Sequence, residues 1–289
     1  MLLVIDVGNT NTVLGVFRLS APPPFAEAAP THQLAAHWRV STDTLRTVDE
    51  YGVLFRNLFS MSGIEISAGA ISGIIVSSVV PPLDATVREV CERYFHSSPL
   101  FIEPGVKTGM PVRYENPAEV GADRIVNSVA GFEKYGGPCV IVDFGTATTF
   151  DAVSSKGEYL GGLIAPGIGI AADALFEHTA RLPRVEIRMP ARVIGVNTIG
   201  SMQSGLFYGY LGLVDGILER MTAELGSDTK VVATGGLGEL FGGHSRHIHA
   251  VDDLLTLDGL RIIWVRNQLL RRAGSSPQSA VSKSGHARK

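Results

Sequence analysis

Two stretches of this chain end an apolar run in the same way. Leu3-Val4-Ile5-Asp6-Val7-Gly8-Asn9-Thr10-Asn11-Thr12 opens it, and Val140-Ile141-Val142-Asp143-Phe144-Gly145-Thr146-Ala147-Thr148-Thr149 returns near the middle. An apolar run stopped by a glycine turn reads as a buried strand. A carboxylate at the end of such a strand is costly unless it has a partner, because a buried unpaired charge is strongly disfavoured. A hydrated metal ion together with phosphate would be that partner. Glycine lets the backbone come close to a ligand, and successive N–H groups with Asn or Thr side chains can grip phosphate oxygens. One Asp-x-Gly turn alone fits an ordinary hairpin equally well. Two copies point to two similar half-domains facing each other across a phosphate site.

The rest of the chain bounds that reading. With 289 residues, two domains are the expectation: 1–118 and 119–272, followed by a polar, Ser-rich tail over 273–289 that is expected to be disordered. Hydrophobic residues make up 45%, charged residues only 18%, and there are 33 glycines, as in an α/β protein with buried, nearly uncharged strands. A net charge of −3 gives no electrostatic case for nucleic acid or an anionic membrane. Cys91 and Cys139 lie in apolar surroundings and read as buried thiols of a reducing compartment rather than a disulfide or zinc site. Asp6 interrupts the first apolar run, against a signal peptide, and no stretch has the roughly 18 apolar residues of a membrane span. The expectation is a soluble cytoplasmic protein.

In chain order the periodicity predicts strands over Leu2–Val7, Thr12–Arg18 and Leu34–Val40, a helix over Thr44–Phe59, a strand over Gly73–Val80, a helix over Leu83–Phe95 and a strand at Leu100–Ile102. Pro22-Pro23-Pro24 makes Ser20–Thr31 an exposed loop. The second half repeats the order: three strands between Cys139 and Ala165, a long helix over Thr198–Leu225, strands at Lys230–Ala233 and His247–Val251, and a closing helix over Leu260–Arg271. In the long helix, Gly205, Gly209, Gly212 and Gly216 fall on one face. Each helical glycine costs about 0.8–1 kcal/mol against alanine, so the stripe implies a close-packed partner helix, in the same chain or in a second subunit.

Between the halves, Asn116-Pro117-Ala118-Glu119 has the cap, proline and acid of a helix start, with Ile125, Val126 and Val129 as its apolar stripe. Asp123 then reads either as a first-turn acid favoured by the helix dipole or as a general base, with Arg124 a surface cation or a carboxylate clamp. Gly161-Gly162 and Gly235-Gly236 follow apolar runs and read as turns, the second a candidate adenosine-facing loop. Gly167-Ile168-Gly169-Ile170-Ala171-Ala172 fits a dinucleotide fingerprint only formally, and no Walker A sequence is present. His244, His247 and His249 have no neighbouring ligand at metal spacing and read as solvated or hydrogen-bonded.

These motifs together resemble the type III pantothenate kinases, bacterial enzymes of the actin, sugar kinase and Hsp70 superfamily. The resemblance spans about Leu2 to Asn267 and rests on Asp6-Val7-Gly8-Asn9-Thr10, Gly121-Ala122-Asp123-Arg124, Asp143-Phe144-Gly145-Thr146-Ala147-Thr148-Thr149, Gly161-Gly162 through Pro166-Gly167, Asn197-Thr198 and Thr234-Gly235-Gly236. It implies two RNase H-like (actin-like ATPase) domains with mixed five-stranded sheets flanked by helices, and a nucleotide cleft between them. It implies transfer of phosphate from ATP to the primary hydroxyl of pantothenate, the first step towards coenzyme A. It assigns Asp123 as proton acceptor, Tyr114, Gly121, Ala122, Asp123, Arg124 and Thr198 to pantothenate, and Asp6, Val7, Gly8, Asn9, Thr10, Asn11, Thr12, Val13 and Thr146 to ATP. It places K⁺ or NH₄⁺ at Asp143 and Mg²⁺ at Asp6, and implies a homodimer with Thr198 reaching the pocket across its interface. Another superfamily phosphotransferase, or a nucleotide-binding regulatory protein related to the family, stays open as an alternative.

Overall fold

The computed structural model describes residues 1–19, 32–67 and 69–274. The loop expected at 20–31 and most of the expected tail lie outside the described residues. The first half holds β1 (Leu2–Val7), β2 (Asn11–Leu19), β3 (His32–Ser41), α1 (Val48–Met61), β4 (Gly73–Ser78), α2 (Pro81–Phe95) and β5 (Leu100–Phe101). Its sheet has the order β3-β2-β1-β4-β5: β1 pairs antiparallel with β2, which pairs antiparallel with β3, while β4 and β5 run parallel to β1.

A 3₁₀ turn (Pro117–Glu119) and α3 (Ala122–Tyr135) lead into the second half. There β6 (Cys139–Phe144), β7 (Ala147–Val153), β8 (Tyr159–Pro166), α4 (Ile168–Glu177), α5 (Thr198–Leu225), β9 (Lys230–Thr234), α6 (Gly238–Gly242), β10 (Ala250–Val251) and α7 (Leu255–Gly274) follow. The second sheet, β10-β9-β6-β7-β8, repeats the first strand for strand.

Strand alternation explains how the layers stack. In β1, Leu3, Ile5 and Val7 face outward onto Tyr51, Phe55 and Phe59 of α1 and Val87 and Val90 of α2. Leu2 and Val4 face inward onto Val126 and Val129 of α3 and Leu257 and Leu260 of α7. In β6 the inward residues are Cys139 and Ile141, which join the same inner core, while Val140, Val142 and Phe144 pack on Phe207, Tyr210, Val214 and Leu218 of α5. The helices α3 and α7 therefore form a layer shared by both sheets. Continuing each inward row by two residues reaches Asp6 and Asp143. The alternation that buries Val4 and Ile141 delivers both acids to the inner side, at the strand ends where the shared helical layer begins.

Several elements differ from the sequence reading, each for a local reason. The first helix starts at Val48 because Thr47 and Glu50 form a reciprocal capping box, leaving Thr44 outside. Asn116 caps only the 3₁₀ turn, accepting from Ala118 N; Val120 is extended and a new helix begins after Gly121, so the expected single helix is two elements. The pair Gly161-Gly162 lies inside β8 rather than in a turn, and the fingerprint-like segment from Gly167 is the start of α4, a helix the periodicity did not predict. The last strand is only Ala250–Val251: the preceding His249 takes the Val231 N–H with its ring Nδ1. Leu255, Leu257, Leu260 and Ile263 are all buried, so α7 begins a turn earlier than expected. Among the described residues nothing packs on the glycine stripe at Gly205, Gly209 or Gly212, where a Cβ would meet nothing within 4 Å. Among the described residues no helix is long and apolar enough to cross a membrane.

Candidate active site

The two Asp-x-Gly turns meet. Gly8 N donates to Asn11 O (3.0 Å) and closes the first turn, and Thr42, just beyond β3, donates its hydroxyl to Gly8 O at 2.7 Å. The hydroxyls of Thr10 and Thr146 lie 2.8 Å apart, bridging the two halves. Beneath this bridge is a cleft of about 210 Å³ lined by Asp6, Gly8, Asn9, Thr10, Asn11 and Val13 from the first half and Asp123, Asp143, Gly145, Thr146 and Gly235-Gly236 from the second. Gly235 has φ +88°, and a Cβ there would overlap Asp143 Oδ1, so the residue closing this wall has to be glycine.

Asp143 is held from the shared helical layer. Asn127 Nδ2 of α3 donates to Asp143 Oδ2 at 3.0 Å, and Thr256 Oγ1 of α7 donates to Asn127 Oδ1 at 2.7 Å, fixing which way the amide points. Asp123 sits in the first turn of α3, where the Arg124 backbone N–H donates to its Oδ1 at 2.8 Å. Behind it, Asp151 is fully buried and gathers Arg124 Nε (2.8 Å), the Tyr159 hydroxyl (2.8 Å) and the Thr149 hydroxyl (3.1 Å). Tyr114 stands 6.4 Å from Tyr159, ring to ring, and against Gly161, and the Arg124 guanidinium lies 5.9 Å from the centre of the Tyr159 ring.

The lining of the cleft is acidic. Four carboxylates line the cleft, Asp6, Asp123, Asp143 and Asp253, against one cation, Arg39. Burial first, and then repulsion from Asp123, push the carboxyls of Asp6 and Asp143 up to about 7. Burial likewise raises Asp123 against the opposing backbone hydrogen bond from Arg124. Among the described residues no three carboxylate, imidazole or thiol groups come together closely enough to enclose a metal ion by themselves. A hydrated ion held by one or two carboxylates and completed by phosphate oxygens fits this donor set.

A family model for type III pantothenate kinase matches residues 2–220. The type III pantothenate kinase of Koribacter versatilis (strain Ellin345) is 68% identical over 269 residues, covering 93% of this chain and 96% of that protein. This chain belongs to the type III pantothenate kinase family. Its fold is also that of more distant structures: a Campylobacter jejuni protein assigned to the Baf family of transcriptional activators, at 20% identity and TM-score 0.56 over 92% of this chain and 99% of that one, and a Sinorhizobium meliloti protein named for 2-dehydro-3-deoxygalactonokinase, at 11% identity and TM-score 0.52 over 98% of this chain and 100% of that one.

Within this type III pantothenate kinase fold, the residues singled out from sequence separate into three groups. Most of the first turn, together with Asp123, Asp143 and Thr146, lines the cleft. Val7 and Thr12 do not: both are buried, Val7 in the outer core and Thr12 with its hydroxyl 2.9 Å from that of Thr42. Thr198 is the exposed first residue of α5, capped by Asn197, and is absent from the cleft lining, as are Tyr114, Gly121, Ala122 and Arg124. The sequence reading passed over Arg39, Thr42, Asn127, Asp151 and Thr256. Asp151 carries the same signal as Asp6, an acid inside an apolar strand; Asn127 and Thr256 are joined only by the fold.

The raised carboxyls predict how stability varies with pH. An unfolded Asp titrates near 3.8, whereas Asp6 and Asp143 titrate at about 7 in the fold, so between these values the folded chain holds more protons. Folding stability without ligands therefore falls as pH rises from about 4 through 7. Urea midpoints measured in metal-free buffer between pH 5 and 8 are expected to decrease, with a shallower decrease in Asp143→Asn. A midpoint that rises over this window contradicts the assigned environments.

Proposed function

We propose that this chain phosphorylates the primary hydroxyl of pantothenate with ATP, giving 4′-phosphopantothenate and ADP. The observation that carries this reading is the cleft itself: two Asp-Gly turns from a duplicated sheet meet at the Thr10–Thr146 bridge, with the raised carboxyl of Asp123 opening onto the same space. Family membership supplies the acceptor. The two halves, 1–118 and 119–272, act as the jaws of the site.

The ATP phosphates lie along Gly8–Asn11 and Thr146, whose N–H and hydroxyl groups grip oxygens that would otherwise be hydrated. Mg²⁺ fits Asp6 and a monovalent cation, K⁺ or NH₄⁺, fits Asp143; when bound they offset phosphate charge that a P-loop enzyme meets with lysine. Asp123 accepts the hydroxyl proton as the oxygen attacks the γ-phosphorus in line, and ADP leaves. A carboxyl raised by burial is a stronger base than a solvated one, which suits that step. Asp151 holds one edge of Arg124 over the Tyr159 ring, as a clamp for the substrate carboxylate.

Thr198 reaches pantothenate only from a second copy in this reading. The unpartnered glycine stripe of α5 supports a homodimer, as do the exposed Leu160, Leu163 and Ile164 of β8, Ile170 of α4 and Ile199 and Leu213 of α5. Cys91 and Cys139 are free and buried, which suits a reducing, cytoplasmic setting.

ADP release by the purified protein with Mg-ATP, with and without pantothenate, in potassium and in sodium buffer tests the assignment. Release that needs pantothenate and is stronger in potassium is expected. Equal release without pantothenate, or none in any buffer, sinks it.

A further inference from the structure

Arg39 is the one cation among the described residues lining the cleft, and the reaction reading above gives it no role. Its position follows from sheet register. Asp6 of β1 pairs with Val13 of β2, and Val13 pairs with Arg39 of β3, so the three form one row across the sheet. Residues paired across neighbouring strands point to the same face, and the face of this row is the inner one, set by Asp6. The neighbouring residue Trp38 belongs to the other face and packs on the outer core.

From that row the guanidinium reaches across the opening to the second half. Its Nη1 would lie 3.3 Å from a Cβ on Gly236, so Arg39 stands directly over the Gly235-Gly236 turn. It acts electrostatically on both Asp6 and Asp143, favouring their charged forms. Glu239 and Asp253 line the adjoining hollow of about 370 Å³ with it, yet Arg39 makes neither an ion pair nor a side-chain hydrogen bond among the described residues. An exposed arginine held over a glycine turn at the mouth of an acidic cleft, without a carboxylate of its own, has its fork of donors available to a polyanion.

We propose that Arg39 is the side-chain cation of the donor site: its guanidinium holds the polyphosphate of the bound nucleotide at the cleft mouth and sets the preference for nucleoside di- and triphosphates over the bare nucleoside. This rests on the reading that the cleft binds ATP. Arg39 stands where the adjoining hollow meets the phosphate-sized cleft, bordering both, so a nucleoside in that hollow would pass its phosphates by the guanidinium.

The test is calorimetric binding of Mg-ADP and of adenosine to wild type, Arg39→Gln and Arg39→Lys, with steady-state kinetics alongside. Arg39→Gln is expected to weaken ADP by roughly 10- to 100-fold, the range for losing a charge-assisted contact, and to leave adenosine unchanged. Arg39→Lys restores part of the loss, because a point charge replaces a fork. The KM for ATP rises in step with the ADP loss, whereas the KM for pantothenate stays at its wild-type value. Unchanged ADP affinity in Arg39→Gln overturns the proposal, and so does an equal loss for ADP and adenosine, which would make Arg39 only a wall of the hollow. Wild type that binds no ADP overturns the ATP reading itself, and with it this inference.

Discussion

Asp123→Asn is expected to lower turnover by about 10²–10⁴-fold, the usual contribution of a positioned general base. The change is nearly isosteric, and its amide oxygen can still accept the Arg124 backbone N–H that Asp123 Oδ1 now takes at 2.8 Å. The start of α3 therefore stays intact. What disappears is the proposed proton acceptor, together with a negative charge that raises the carboxyls of both Asp6 and Asp143. Removing that repulsion should leave the variant at least as stable as wild type. Activity and stability are thus expected to move in opposite directions, which separates loss of chemistry from loss of fold. Measured together, turnover and the urea midpoint give the answer: near-wild-type turnover would remove Asp123 from the reaction, and a lowered midpoint would mean that its role is structural.

Gly259→Ala is the second large effect, and it acts on the architecture. Gly259 is buried on α7 where this helix crosses α3, and a Cβ there would overlap the carbonyl oxygen of Val126. Backbone cannot rotate away as a side chain can, so the two helices of the shared layer must separate. Overpacking of this kind costs about 1–3 kcal/mol and sometimes more. The expected loss in unfolding free energy is about 3 kcal/mol, at the upper end because both helices are wedged between sheets. The same displacement pulls Thr256 away from Asn127, and Asn127 is what orients Asp143. Residual activity in the folded fraction should therefore fall below that of wild type. Gly169→Ala is the matched control, since a Cβ there meets nothing within 4 Å. A Gly259→Ala protein as stable as that control would contradict the shared helical layer.

The parts of this protein legible in its sequence are those fixed by local pattern. Alternation through Leu2–Asp6 and Cys139–Asp143 was enough to place both acids at strand ends, and the duplicated order of strands and helices foretold two matching sheets. The residues that were missed are tied together over long chain separations. Nothing near Asn127 indicates that its amide bonds Asp143 and Thr256; that follows only once α7 returns to lie beside α3. Arg39 was hidden for a related reason: which face of β3 points inward depends on its register with β2, set by a hairpin whose connecting residues lie outside those described. Helix limits failed where a side chain outbid the apolar period. Thr47 capped α1 three residues late, and Asn116 spent its cap on a 3₁₀ turn. The glycine stripe was ambiguous in sequence because helix packing within one chain and between two chains require the same small residues. The open space over Gly205, Gly209 and Gly212 excludes the first of these among the described residues.

The most direct measurement is the fate of the phosphoryl group. Pantothenate incubated with the purified protein and ATP labelled at the γ-phosphate, then analysed by mass spectrometry with fragmentation, should gain one labelled phosphoryl group on its primary hydroxyl, in amounts matching the ADP formed. Label appearing only as free phosphate, or on a different acceptor while pantothenate is recovered unchanged, would contradict the account.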